Sequence, residues 1–244
     1  LDLRKGFHEP AEKPRRFYKA VMVADAEGGF QVQLDGRNLR TPQARRMLLP
    51  TRAVADQVAE EWASQGEILE MATMPATRLA NTAIEAIPDA RPATADQIAQ
   101  YAGSDLVCYF AEGPDALIER QRGAWEPLLA QAETHEGLRF ERCAGIIHRE
   151  QPAETLQRVR ELALALDDFA LAGLAFGTAL FGSAVLALAL QRDRLSGEEA
   201  FVLSRIDEVF QEERWGLDEE AAERAARLRG DAVMLSRWFR GLRA

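Results

Sequence analysis

Cysteine and histidine are scarce in this chain of 244 residues, and the settings in which they occur exclude several chemistries. Cys108 and Cys143 stand in apolar surroundings with no CxxC or CxxH neighbour. Neither a disulfide framework nor a zinc site is indicated, and both read as small core residues. The three histidines, His8, His135 and His148, fall in separate contexts, and no HExxH or GxSxG accompanies them. His135 reads as the end of a helix, where an imidazolium suits the dipole. His148, after an apolar pair and with carboxylates nearby, leaves a small hydrolase-like enzyme as the alternative reading.

Nucleotide cradles are missing too. There is no GxxxxGKS/T or GxGxxG, and Gly28-Gly29 reads as a turn. Adjacent carboxylates do occur, at Glu60-Glu61, Asp167-Asp168, Glu198-Glu199 and Glu212-Glu213. Neighbours on a helix point roughly 100° apart, so such pairs are not acid/base couples. Asp167-Asp168, preceding an apolar run, reads as a helix cap. No enzyme, metal or cofactor chemistry finds support. Residues 1–19 lack the apolar stretch of a secretory signal and the acid-poor look of a transit peptide, so a cytoplasmic or matrix-like compartment is expected.

What is present is ample apolar material and an acidic balance. A hydrophobic content of 47% supports a substantial core, and a net charge of -9 argues against a nucleic-acid partner or an acidic substrate. That charge is uneven. Residues 1–50 hold ten Lys or Arg against six acids, whereas residues 198–223 hold ten acids against Arg205 and Arg214. Such a segment is either a solvated helix face or a docking surface for a basic partner.

The patterning predicts an α+β chain, with a small antiparallel β-rich domain over 1–50 and a larger, mainly helical domain over 51–244. Short β-prone runs at 17–23, 30–34 and 45–49 are punctuated by Gly28-Gly29 and by Asp35-Gly36, the latter a hairpin signal. After Pro50, Thr51 can cap a helix. Helices are expected near 51–65, 75–87, 92–103, 114–134, 153–165, 168–190, 197–214 and 218–240, with further strands at 105–111 and 139–147.

Phe169 to Leu190 is 22 residues without a formal charge, long enough to span a bilayer. It is rich in Ala and Gly and lacks flanking aromatic belts, so it reads as buried helices broken at Gly177-Thr178 and Gly182-Ser183. Gly173 and Gly177 form a GxxxG pair suited to close helix approach. Trp62, Trp125 and Trp238 read as core residues. Trp215, set among carboxylates in Gln211-Glu212-Glu213-Arg214-Trp215-Gly216, reads instead as a candidate anchor for a partner.

Several blocks, in order, resemble the mitochondrial and α-proteobacterial assembly chaperones of the F-type ATP synthase. They are Arg16-Phe17-Tyr18-Lys19, Leu34-Asp35-Gly36-Arg37, Leu39-Arg40-Thr41-Pro42, Leu49-Pro50-Thr51, Glu61-Trp62 and Met74-Pro75-Ala76-Thr77-Arg78-Leu79-Ala80-Asn81-Thr82-Ala83. Tyr101, Asp105-Leu106, Arg120-Gln121, Trp125 to Leu129 and Gln211 to Gly216 follow. The resemblance implies a chaperone that binds the unassembled α subunit, with no ATP or cofactor. It also implies a functional acidic position in the C-terminal helices, for which Glu208, Glu212, Glu213 and Glu219 are joint candidates beside Trp215.

Overall fold

Asp35 and Gly36 close the second hairpin of the sheet with left-handed backbone, φ 48° and 77°, in the computed structural model, which describes residues 14–145, 149–216 and 218–244. The Asp35 carboxylate accepts hydrogen bonds from the backbone N–H groups of Lys19 (3.1 Å) and Ala20 (2.8 Å), across the strands rather than within its own turn. Those bonds hold its pKa below the ordinary value. Strand β1 (Val21–Ala26) pairs antiparallel with β2 (Gly29–Leu34), in register Val21 to Leu34, and β2 with the two-residue β3 (Arg37–Asn38). The expected strand at 45–49 reduces to isolated bridges, Phe30 to Leu49 and Arg40 to Arg46.

Helix α1 (Arg52–Ala63) starts where Thr51 caps it, the hydroxyl accepting from the Val54 N–H at 3.2 Å. Its Val54, Val58 and Trp62 face inward at helical spacing, and the Tyr18 hydroxyl donates to the Trp62 carbonyl at 2.7 Å, tying the sheet to the helix. Helix α2 (Pro75–Glu85) follows. Its cap residue, Met74, makes no side-chain hydrogen bond. Instead Glu61, on α1, accepts from the N–H groups of Ala76 and Thr77 and from the Thr77 hydroxyl, each at 2.7 Å. A carboxylate on a helix N-terminus satisfies orphan donors and suits the dipole. The Glu61-Trp62 and Met74 to Thr77 blocks are thus one joint.

Helix α3 (Ile87–Ala102) begins five residues earlier than expected and carries Pro92 inside it, on the solvent side. The 105–111 stretch is a single 3-10 turn, Leu106–Cys108, followed by β4 (Tyr109–Phe110). After α4 (Asp115–Glu136), β4 pairs in parallel with β5 (Cys143–Ala144). Helices α5 (Ala153–Leu164), α6 (Asp168–Phe181) and α7 (Ala184–Gln191) complete the middle of the chain.

The apolar run breaks once, not twice. Gly182 ends α6 at φ 62° and Ser183 caps α7, whereas Gly177 lies within α6. Gly173 and Gly177 face α10 (Glu219–Leu242): a Cβ at Gly173 would stand 2.9 Å from Phe239, and one at Gly177 2.8 Å from Leu235. Close approach is why these glycines are there. Asp167 caps α6 through the Ala170 N–H at 2.8 Å. Among the described residues no helix is long and apolar enough to cross a membrane. The expected 197–214 helix is two, α8 (Gly197–Ser204) and α9 (Ile206–Trp215), broken at Arg205.

Candidate partner-binding surface

Helix α9 is amphipathic. Ile206, Phe210 and Glu213, at i, i+4 and i+7, turn toward α4; Glu208, Gln211 and Trp215 fall on the opposite face. The α4 side is densely bonded. Arg120 meets Glu213 with two parallel bonds of 3.0 and 2.9 Å, and its guanidinium lies over the Phe210 ring at 5.4 Å. Arg120 thereby lowers the Glu213 pKa. Gln121, fully buried, donates to Asp207 at 2.6 Å and accepts from the Ala111 N–H at 2.7 Å. The Trp125 indole donates to the Leu203 carbonyl at 3.0 Å. The Arg120-Gln121 and Gln211 to Gly216 blocks, far apart in sequence, meet here through Arg120 and Glu213, while Gln121 and Trp125 hold the stretch just before, at Asp207 and Leu203.

Most of the acidic segment is likewise engaged. Glu199 completes a capping box with Ser196, whose N–H it accepts at 2.8 Å, and this lowers its pKa. Glu198 pairs with Arg229 at 2.6 Å and Glu212 with Arg205. Asp218 caps α10 through the Ala221 N–H, while Glu220 and Glu223 pair one turn ahead with Arg224 and Arg227. Of the ten acids, Glu208 and Glu219 alone make neither a hydrogen bond nor an ion pair among the described residues, and both are exposed. Trp215 is 77% exposed, whereas Trp62, Trp125 and Trp238 are buried in the core. Five sequence candidates therefore divide: Glu212 and Glu213 stand in internal ion pairs, while Glu208, Trp215 and Glu219 face solvent.

Elsewhere among the described residues the side chains do not assemble a reactive centre. Cys108 and Cys143 are buried free thiols, and burial pushes the Cys108 pKa up, away from thiolate. Asp105, fully buried, accepts from the N–H groups of Val107 (3.3 Å) and Val185 (3.1 Å), and burial pushes its pKa up to about 6. It staples the 3-10 turn to α7. No cluster able to hold a metal occurs among the described residues. His148 lies outside them.

Residues 15–133 match the family model described as ATP12 chaperone protein. The chain superposes on the crystal structure of Atp12 from Paracoccus denitrificans with a TM-score of 0.85 at 39% identity, covering 93% of this chain and 98% of that one. It belongs to the ATP12 chaperone family. A second solved member-like structure, the Agrobacterium tumefaciens protein Atu1473, described as a putative chaperone, gives a TM-score of 0.87 at 41% identity over 94% of this chain and 86% of that one. The mitochondrial protein atp12 of Schizosaccharomyces pombe is 26% identical over 226 residues, 88% of this chain and 78% of that protein. An ATP12-family chain is a chaperone and not an enzyme, and the hydrolase reading of His148 gains no support.

Proposed function

We propose that this ATP12-family chaperone, which serves ATP synthase assembly, binds the unassembled α subunit and covers the surface that α will present to β. An unpaired subunit exposes apolar area that invites self-association. A chaperone competing with β for that area releases its client by exchange, with no need of nucleotide. The compartment is a bacterial cytoplasm, or the matrix for a mitochondrial relative.

The observation that carries this reading is the solvent face of α9, where an exposed tryptophan stands on one helix face with an uncommitted carboxylate two turns earlier, and Glu219 follows at the start of α10. An aromatic anchor with a charged rim is the composition of a binding hot spot. In a pull-down of unassembled α subunit, Trp215→Ala and the pair Glu208→Lys with Glu219→Lys are expected to weaken retention while leaving the thermal midpoint near wild type. Failure of the wild-type chain to retain α, or normal catalytic-head assembly in a deletion strain, sinks the proposal. Charge reversal at Glu212 or Glu213 is the poorer test, because it breaks ion pairs with Arg205 and Arg120 inside the chaperone.

A further inference from the structure

Two hollows share the first turn of α2. The larger, about 750 Å³, lies between α1, α2 and α10, with Pro75 and Arg78 on one side and Leu228, Val233 and Met234 of α10 on another. The smaller, about 400 Å³, is bordered by the same Pro75 and Arg78 and continues over Leu79, Ile87, Ala172 and Phe176. Arg78 therefore borders both, with apolar walls in each.

The larger hollow is lined by one more cation than acids, on a chain whose net charge is -9. Arg78, Arg224, Arg227 and Arg237 line it, against Glu60, Glu61 and Asp231. Glu60 is neutralised by Arg237 at 2.7 Å, and Glu61 is turned onto the α2 N-terminus. Among the described residues Arg224 and Arg227 pair only with Glu220 and Glu223, at exposed sites where such pairs hold weakly, and neither glutamate lines the hollow. The Arg78 guanidinium makes no hydrogen bond and no ion pair among the described residues, though its charge reaches Glu61 and Asp231. Arg78 thus brings to the space a guanidinium held by no ion pair among the described residues, with Glu61 and Asp231 within reach of its charge and Arg224 and Arg227 beside it in exposed pairs.

We propose that these two hollows seat a client segment in which a single carboxylate lies between apolar side chains, the carboxylate on Arg78 and the apolar groups in the hollows beside it. The identity of the client rests on the chaperone reading above. A guanidinium takes a carboxylate through two parallel bonds, which fixes orientation as well as sign. Asp231, half-buried beside it, repels a second acid and so limits the segment to one. This surface differs in the sign of its free charge from the Trp215 face, Arg78 against Glu208 and Glu219.

The test uses the full chain with a photo-crosslinking residue at Ser64, which lines the larger hollow, or at the exposed Gln157 of α5 as a control. Purified α subunit and an array of overlapping peptides from its sequence are the probes. Crosslinking from Ser64 and not from Gln157 is expected, with retained peptides carrying Asp or Glu between apolar residues. Arg78→Glu should weaken those peptides at least about tenfold, more than Arg78→Lys, and less so at high salt. If Arg78→Glu disturbs the fold, Arg227→Glu carries the same charge test. Wild-type binding of α with a silent Ser64 crosslinker, or without loss in the charge-reversed variants, overturns the groove and leaves the function standing. A wild type that does not bind α counts against the function, and the array then judges the groove alone: no preference for acidic over basic peptides of equal apolar content sinks it.

Discussion

Replacing Glu61 with alanine should loosen the joint between α1 and α2 at a cost that can be worked from its three hydrogen bonds. Glu61→Ala strips the acceptor from the Ala76 and Thr77 N–H groups and from the Thr77 hydroxyl, each at 2.7 Å. A donor left without a partner costs about 1–3 kcal/mol when buried. Ala76 and Thr77 are buried, but Glu61 is only half so, and water can enter the space it leaves. That places the loss near the low end for each donor, about 3 kcal/mol together. Removing a charge that burial disfavours offsets part of it, since the Glu61 pKa is raised by desolvation despite those three bonds. A net loss of about 2 kcal/mol follows, or a fall in Tm of about 4–8 °C at this chain length. Urea unfolding followed by tryptophan fluorescence measures it, with an unchanged m-value as the check that only stability moved. A loss below about 0.5 kcal/mol would refute the capping role. Glu61→Gln separates charge from hydrogen bonding. A raised folded pKa means the Glu61 contribution is full below the unfolded value and shrinks as pH climbs through the folded one, so this variant should gain on wild type as pH rises.

Gly197→Ala should be among the most damaging single methyl additions, because its Cβ would stand 2.2 Å from the Ala232 carbonyl oxygen of α10, a backbone atom that cannot swing aside. A loss of about 2–3 kcal/mol is expected in the same unfolding assay, and a neutral result would show that α8 and α10 slide apart freely. Asp105→Asn tests the buried staple through pH. Folded Asp105 keeps its proton up to about 6, against an ordinary 3.8, so its contribution is full below about pH 4 and is lost as pH rises through about 6, amounting to about 3 kcal/mol. The stability difference between wild type and variant should therefore drift toward the variant across that window, and a flat difference refutes the buried titration. Trp125→Phe removes the donor to the Leu203 carbonyl and should cost about 1–2 kcal/mol, with faster amide exchange in α8 as the local readout.

Hairpin chemistry and helical period were legible because each rests on local residues. Asp35-Gly36 closes its turn, Thr51 caps α1, and Asp167 caps α6. Where the reading slipped, a distant partner decided. Pro92 looks like a helix start, yet α3 extends back to Ile87 because Ile87, Thr94, Ala95 and Ile98 pack on one buried face, and its proline ring is left in solvent. Gly177 looks like a break, yet it is the point where Leu235 presses on α6, which a continuous helix accommodates once the side chain is gone. The break at Arg205 carried no glycine or proline signal. Its side chain lies over Phe201 at 5.7 Å and pairs with Glu212, contacts that bridge the two helices it separates. Nothing in sequence spacing reveals that Glu61 caps a helix fifteen residues away, nor that Arg120 and Glu213 meet.

The acidic segment shows why charge density in a sequence is a poor measure of a docking face. Eight of its ten carboxylates stand in caps, ion pairs or a buried amide contact; the pairs of Glu220 and Glu223 are exposed and lie within one turn of α10, while the other six cap helices or tie one segment to another, so most of the segment sets geometry and does not await a partner. That leaves two exposed glutamates and one exposed tryptophan without an ion pair or side-chain hydrogen bond among the described residues. So few free side chains bind weakly by themselves, which suits the exchange with β proposed above. A second weak contact on the same client raises the overall affinity through effective concentration, provided both can be engaged together. Client binding should then fall steeply when either the Trp215 face or Arg78 is altered, and release should need only one of the two to be displaced first. Equal, independent losses from the two sets of variants would instead argue for two separate clients.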